Sequence, residues 1–577
     1  MKPPRREGRA AAHTTRRVLG LLALVLPIAL RGASAAPGGP GAGTTPPPRL
    51  VLVISIDQLR ADRLSPELPG GLGRLAREGR LFADAAHDHS DTETCPGHAV
   101  MLTGAQPGAA GVPSNEWVDR TTGRSHYCVE DAGPQGQILG APATEGGPGA
   151  PVVGRSPRFL RASALGDWMK QADPRAKVFS VSAKDRAAIT LGGLHPDGVY
   201  WLDRGAVLGF TTSRYYRPEL PSWVGAWHGA DPFGSGWLAS VPPSWEHATG
   251  EPPNGARPDD FPGESTQFSR TSPHPLRAAD VKGTLERVYF SPWLDALTLS
   301  FARTLIEQEQ LGTDDVTDLL AVSLSATDLV GHAYGPGSQE ARDALLRLDL
   351  ALGELLDFAA ARVGRDRLLV ALTADHGVLE LPEALEATGA DECPVGGGRV
   401  ATAALREGLG KELAAKLGAA PEGAPWIVDS GFALTLGRAA AKARGVPLER
   451  VASAASAWLA KQPGVARVWT AAEIEAGRGP EPFAHLYAHS YDPEKSGDLV
   501  IQPARDCLFS PYPTGTSHGT PYLYDRAVPL VLQGPAVEPG VVRGRAAPVD
   551  LGPTLAALLG VPVPPGRDGR SLLPVSR

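Results

Sequence analysis

The stretch HSDTETCPGHAVMLTG (His89–Gly104) gathers three threonines, two acids, two histidines and a cysteine. Each hydroxyl or thiol in it is a potential nucleophile. None attacks readily at neutral pH until a base or a cation lowers its pKa, and nothing within the stretch singles one out. The activator has to come from elsewhere in the chain.

Three acids stand out by position. Asp57 closes the apolar run RLVLVISID, Asp328 follows DLLAVSLSAT, and Asp375 follows RLLVALTA. Histidines accompany two of them, His332 in SATDLVGHAYG and His376 in TADHG, and His518 sits in the loop GTSHGT. Three Asp and three His around one crevice would make ligand sets for two divalent ions, and the mixture of carboxylate and imidazole suits zinc better than magnesium or calcium. Zinc would lower the pKa of a nearby Ser or Thr hydroxyl, and paired ions hold both oxygens of an in-line displacement at phosphorus. In TCPGH, Thr94 precedes the Pro-Gly of a turn into a helix, and a helix N-terminus favours an anion.

These residues need elements to hold them. The three apolar runs read as strands buried on both faces of a sheet. Helical patterns lie between or after them, in PGGLGRLAREG, SALGDWMKQA, WLDALTLSFARTLIEQEQLG and SQEARDALLRLDLALGELLDFAAARVG. Strands alternating with helices imply an α/β sheet covered on both faces, with ligands beyond the carboxyl ends of its strands. Residues 200–283, rich in Trp, Tyr, Pro and Gly, read as an inserted cap with a small core of its own. The mostly helical residues 379–497 read as a second insertion. The catalytic core then comprises residues 49–199, 284–378 and 498–577.

Together these segments resemble the alkaline phosphatase superfamily, and within it they are most similar to phosphate-irrepressible (PafA-type) alkaline phosphatases. The resemblance rests on VLVISIDQLRADRL, TETCPGHAVMLTGAQPGAAGVPSNEW, SATDLVGHAYGPGS, TADHGV, TSHGTPYLYDRAVPLVLQGPAV and the C-terminal PVDLGPTLAALLGVPVPPGRDGRSLL. It implies a three-layer sandwich with a mostly parallel central sheet, helices on both faces and inserted cap subdomains. It further implies two zinc ions, one held by Asp57, Thr94, Asp375 and His376 and the other by Asp328, His332 and His518. Thr94 would be the nucleophile, forming a phosphothreonine. Asn115, Lys184 and Arg186 would contact the non-bridging phosphoryl oxygens. Against the C-x-P-S-R pattern of sulfatases in the same superfamily, Thr94 rather than Cys95 takes the nucleophile position. Thr92, Thr103 and His98 then read as supporting residues.

The expected activity is hydrolysis of small-molecule phosphate monoesters. The rival is a phosphodiesterase of the nucleotide pyrophosphatase type, and a more distant alternative is a non-catalytic phosphoester-binding module. A monoester dianion gains from two cationic donors, whereas a diester needs room for its second substituent, so Lys184 and Arg186 favour monoesters.

Composition bounds the remainder. With 577 residues the chain is too long for one simple core, and 42% apolar with 21% charged residues is ordinary for a globular protein. A net charge of -7 without a basic stripe makes nucleic acid a poor partner. Residues 1–35 run from basic MKPPRREGRAAAHTTRR through apolar VLGLLALVLPIAL to small RGASAA, the pattern of an export signal. Arg16 and Arg17 raise the twin-arginine route as one option. Residues 36–48 read as a disordered spacer, which leaves a periplasmic or secreted protein without a membrane span, expected to be a monomer. Cys95, Cys128, Cys393 and Cys507 suit an oxidising compartment. Three pairings are open; Cys95–Cys128 with Cys393–Cys507 is preferred, and buried thiols are the alternative.

Overall fold

The computed structural model describes residues 46–141, 154–229, 237–247 and 256–573. The expected export signal and most of the expected spacer lie outside these residues. Among those described, no helix is long and apolar enough to cross a membrane.

Strand β1 (Leu50–Ile56) is buried at every position. Its alternate side chains serve two cores. Leu50, Leu52, Ile54 and Ile56 face one, and Val51 and Val53 face the other. The same alternation holds in β6 (Asp318–Leu324) and β7 (Leu368–Thr373). A strand packed on both faces has no polar side to give up, which is why these segments read as unbroken apolar runs. The remaining strands of the sheet are β2 (Arg80–Phe82), β3 (Val178–Ser182), β4 (Gly198–Asp203), β5 (Gly209–Thr211), β8 (Val531–Gln533) and β9 (Gly540–Val542). The nine strands run in the order β9-β2-β8-β7-β1-β6-β3-β4-β5. The five from β7 to β4 are parallel, and β5 and β8 pair antiparallel at either side.

Helices cover both faces. On the first core lie α1 (Gly71–Glu78), α5 (Trp293–Gln308), α6 (Ala326–Tyr334) and α7 (Gln339–Val363). On the second lie α2 (Thr94–Thr103), α3 (Leu165–Ala172) and α8 (Leu551–Leu559), through Met101, Leu102, Trp168 and Leu555. Between β3 and β4 runs α4 (Asp185–Gly192). This is the three-layer α/β arrangement expected.

The insertions differ from expectation in three respects. Residues 200–211 do not open a separate cap, because they form most of β4 and all of β5 at the edge of the main sheet. Aromatic residues are good strand formers as well as cap residues, so composition alone drew that boundary too early. Nor does the aromatic segment keep a core to itself. Tyr200, Phe210, Trp223 and Trp227 pack around Phe301 of α5 with ring centroids 4.4 to 5.5 Å away, and Val224, Trp245 and Leu276 join the first core. The second insertion does have its own core, around Leu413, Trp426, Leu434, Val451 and Leu459. Its four-stranded sheet takes in Leu499–Pro503, beyond the expected limit at residue 497. The disulfides are Cys95–Cys128 and Cys393–Cys507.

Asp295, in the first turn of α5, fixes the start of α6 by accepting a hydrogen bond from the Ala326 N–H at 3.0 Å. Its other oxygen is buried without a hydrogen-bond partner, and burial pushes the carboxyl up to about 7. The folded state therefore retains a proton that the unfolded chain releases near pH 4, and stability falls as pH rises from there to the folded value. Asp295→Asn has no proton to lose. Its melting temperature should rise relative to the native protein between about pH 5 and about pH 8, as differential scanning calorimetry at the two values would show.

Candidate metal centre and nucleophile

Because β7, β1 and β6 are adjacent and in register, with Ile56 opposite Leu324 and Ser55 opposite Thr373, the residues leaving their carboxyl ends emerge side by side. Asp57 directly follows β1, Asp375 lies just past β7, and Asp328 is in the first turn of α6. Distant residues complete two groups. Asp57, Asp375 and His376 form one, and Asp328, His332 and His518 the other, with the ligand atoms of each group within 4.8 Å of one another. The groups abut, since the rings of His376 and His518 stack at 3.5 Å.

The histidine tautomers follow from their partners. The Nδ1 atoms of His332, His376 and His518 lie 2.8, 2.9 and 2.7 Å from the carbonyl oxygens of Thr516, Gly377 and Thr92. A carbonyl only accepts, so each Nδ1 carries a hydrogen and each Nε2 is the atom turned toward the carboxylates, the arrangement a metal ligand requires. Burial also drives His376 well below its ordinary pKa, which keeps it neutral. Asp57 Oδ1, Asp375 Oδ2 and His376 Nε2 are buried without a hydrogen-bond partner. Orphaned donors of this kind, converging in one place, fit a divalent cation, and carboxylate with imidazole suits zinc.

Charge is unevenly balanced here. Burial, with like charge from Asp375 and Asp328, pushes Asp57 well above the carboxylate range against the pull of Lys184. Burial would raise Asp328 too, but His332 and Lys184 outweigh it and hold that carboxyl well below its usual value. Lys184 Nζ lies 2.5 Å from both Asp57 Oδ2 and Asp328 Oδ2. One ammonium therefore spans both groups, so Lys184 reaches the site through the ligand carboxylates.

Thr94 is the first residue of α2. Arg186, near the start of α4, donates from Nη2 to Thr94 Oγ1 at 3.3 Å. Asn115 accepts the Cys95 N–H on Oδ1 at 2.8 Å, which leaves its NH2 as the donor end. The decoys are accounted for. Cys95 is in a disulfide, Thr92 donates to the Thr520 carbonyl, and Thr103 donates to the Ala99 carbonyl.

Three contributors escaped sequence reasoning. Gln58 donates from Nε2 to Asp328 at 2.6 Å and from its N–H to Asp375 at 3.0 Å, in a left-handed backbone conformation with φ 69°. Glu93 accepts from the Ser114 hydroxyl and the Asn115 N–H at 2.8 and 2.7 Å, setting that loop beside α2. Gly97 permits a close approach, since a Cβ there would lie 2.2 Å from the Asp375 carbonyl oxygen. Only the position of Gln58 next to Asp57 offered a hint. His98, read from sequence as a turn support, lies 2.9 Å from the Thr94 carbonyl oxygen and 3.2 Å from Asp375 Oδ2.

Known proteins resemble this chain in sequence and fold. Residues 51–520 match the family described as type I phosphodiesterase / nucleotide pyrophosphatase. Alkaline phosphatase PafA of Elizabethkingia meningoseptica is 30% identical over 93% of this chain and 96% of that protein. Alkaline phosphatase PhoK of a Sphingomonas species is 32% identical over 91% of each. The crystal structure of wild-type PafA superposes with a TM-score of 0.82 at 28% identity, covering 92% of this chain and 99% of that one.

Gly97→Ala would push a methyl group into backbone rather than into a yielding side chain, and α2 would have to move off the Asp375 loop. The expected cost is about 1–3 kcal/mol, measured as a shift in the urea unfolding midpoint.

Proposed function

The chain belongs to the type I phosphodiesterase / nucleotide pyrophosphatase family, within the alkaline phosphatase superfamily, and from that premise we propose an exported, zinc-dependent alkaline phosphatase acting through a phosphothreonine at Thr94. It is a phosphoester hydrolase, as its alkaline phosphatase relatives are named. The observation that carries the reading is the pair of Asp/His groups beside a threonine whose hydroxyl is touched by a half-buried arginine.

In this reading Asp57, Asp375 and His376, with Thr94, would hold one zinc, and Asp328, His332 and His518 the other. When bound, such ions lower the pKa of a hydroxyl and draw charge from phosphoryl oxygens. The chain's own residues supply the remaining steps. Thr94 Oγ1 loses its proton and attacks phosphorus as the ester P–O bond breaks, and the leaving oxygen takes up one proton in exchange, so the alcohol departs with no net change in protons. Water then attacks the phosphothreonine, returns the Thr94 hydroxyl and releases inorganic phosphate. Arg186 steers Thr94 and meets the phosphoryl oxygens with positive charge. The Asn115 NH2, fixed by the Cys95 N–H, donates to another oxygen. Lys184 adds a second positive charge on the same wall, which suits a dianionic monoester. The substrates are small-molecule phosphate monoesters, and the protein acts as a monomer. Export is supported by the basic, apolar and small-residue order of residues 1–35.

The family's own description keeps phosphodiester hydrolysis as the second reading. Rates on p-nitrophenyl phosphate and bis-p-nitrophenyl phosphate, from metal-stripped protein with and without zinc, separate the two. Monoester preference and restoration by zinc are expected; diester preference would overturn the assignment, and indifference to zinc would remove the metal centre. Thr94→Ala should lower monoester kcat by a factor on the order of 10⁴ or more, whereas unchanged turnover would place the chemistry elsewhere. Arg186→Ala should cost about 10²–10³-fold on the monoester and distinctly less on the diester.

A further inference from the structure

A third set of metal-type ligands lies outside this crevice. His247, His274 and Glu340 bring ligand atoms within 4.8 Å of one another from three separate parts of the chain. His247 lies just beyond the short strand Ser244–Trp245, and His274 is in the strand His274–Pro275 that pairs with it, opposite Trp245. Glu340 is in the first turn of α7. Glu340 is 1% exposed and His274 2%, so neither side chain exchanges its partners for water.

Hydrogen bonding sets the His274 tautomer. The Tyr334 hydroxyl lies 3.1 Å from the Ser269 carbonyl oxygen and 3.3 Å from His274 Nδ1. The carbonyl only accepts, so the single hydroxyl proton goes to it, and the Tyr334 oxygen accepts from His274 Nδ1–H. His274 then turns Nε2 toward Glu340 Oε1 at 3.2 Å. His247 Nε2 lies 3.6 Å from the same oxygen and is buried without a hydrogen-bond partner. Two imidazole nitrogens and a carboxylate oxygen meeting out of water require positive charge, from either an imidazole proton or a cation. As in the crevice, Nδ1 is tied back and Nε2 is aimed at a carboxylate.

We propose that His247, His274 and Glu340 form a third divalent-metal site, distinct from the Asp/His crevice and of zinc type. Two histidines and one glutamate are a zinc ligand set that leaves a fourth position for water, whereas calcium or magnesium would call for oxygens throughout. The ion would staple the paired strands of residues 244–245 and 274–275 to α7. Tyr334, which orients His274, belongs to α6, the helix that carries Asp328 and His332. The staple therefore braces the aromatic segment against the same helix that supplies one wall of the crevice.

Anomalous diffraction from zinc-saturated crystals of the whole protein, above and below the zinc edge, tests this. A peak about 2.0–2.2 Å from His247 Nε2, His274 Nε2 and a Glu340 carboxylate oxygen is expected. Glu340→Gln and His274→Asn should each lose that peak and one equivalent of zinc by mass spectrometry, while peaks at the Asp57 and Asp328 groups persist. No peak among the three residues of the native protein at saturating zinc would identify a proton-bridged ion pair and overturn the proposal. The crevice peaks are read separately in the same map, so the two assignments stand or fall independently.

Discussion

Carboxylates gathered out of water need positive charge among them. Asp57, Asp328 and Asp375 are buried together at the carboxyl edge of three adjacent strands, and much of the surrounding structure answers that constraint. Lys184 bridges Asp57 and Asp328, Gln58 bridges Asp328 and Asp375, and His98 and His376 also approach Asp375. Even so, buried oxygens of Asp57 and Asp375 lack hydrogen-bond partners. An apolar sheet accepts such a concentration of acid only where cations can meet it, so the charge problem and the chemistry have one origin.

The hydroxyl depends on the same arrangement. Helix α2 begins at Thr94, and its first turn is clasped from several sides. Asn115 takes the Cys95 N–H, Glu93 holds Asn115, and the Cys95–Cys128 disulfide joins the helix to the strand region whose Cys128 N–H donates to the Asn115 carbonyl. Gly97 lets the helix lie against the Asp375 loop. For the role proposed for Thr94 this matters, because a hydroxyl held in orientation meets less of the entropic barrier to an in-line attack. The disulfide thus has a positioning consequence beyond its effect on the unfolded chain.

The insertions divide by packing. The aromatic segment merges with the first core, its rings collecting around Phe301, so its composition is explained by burial without any role at the substrate. The second insertion keeps a separate core and sheet, and Cys393–Cys507 closes its ends together.

By itself the sequence determined the strands and their acidic ends, because a doubly buried strand must be written as an unbroken apolar run and a polar residue at its end is conspicuous. Asp57, Asp328 and Asp375 were legible for that reason, and the short spacings from Asp328 to His332 and from Asp375 to His376 made those histidines legible as well. Thr94 could be ranked over its neighbours only through resemblance. Tertiary structure alone decided the rest. The carbonyls that orient His332 and His518 lie 184 and 426 residues away in the chain, and Gln58 meets Asp328 across 270. Glu93, Gly97 and the Lys184 bridge are likewise products of packing. A local pattern records what a residue must do within its own helix or strand; which backbone carbonyl will face its ring is fixed only when distant segments come into contact.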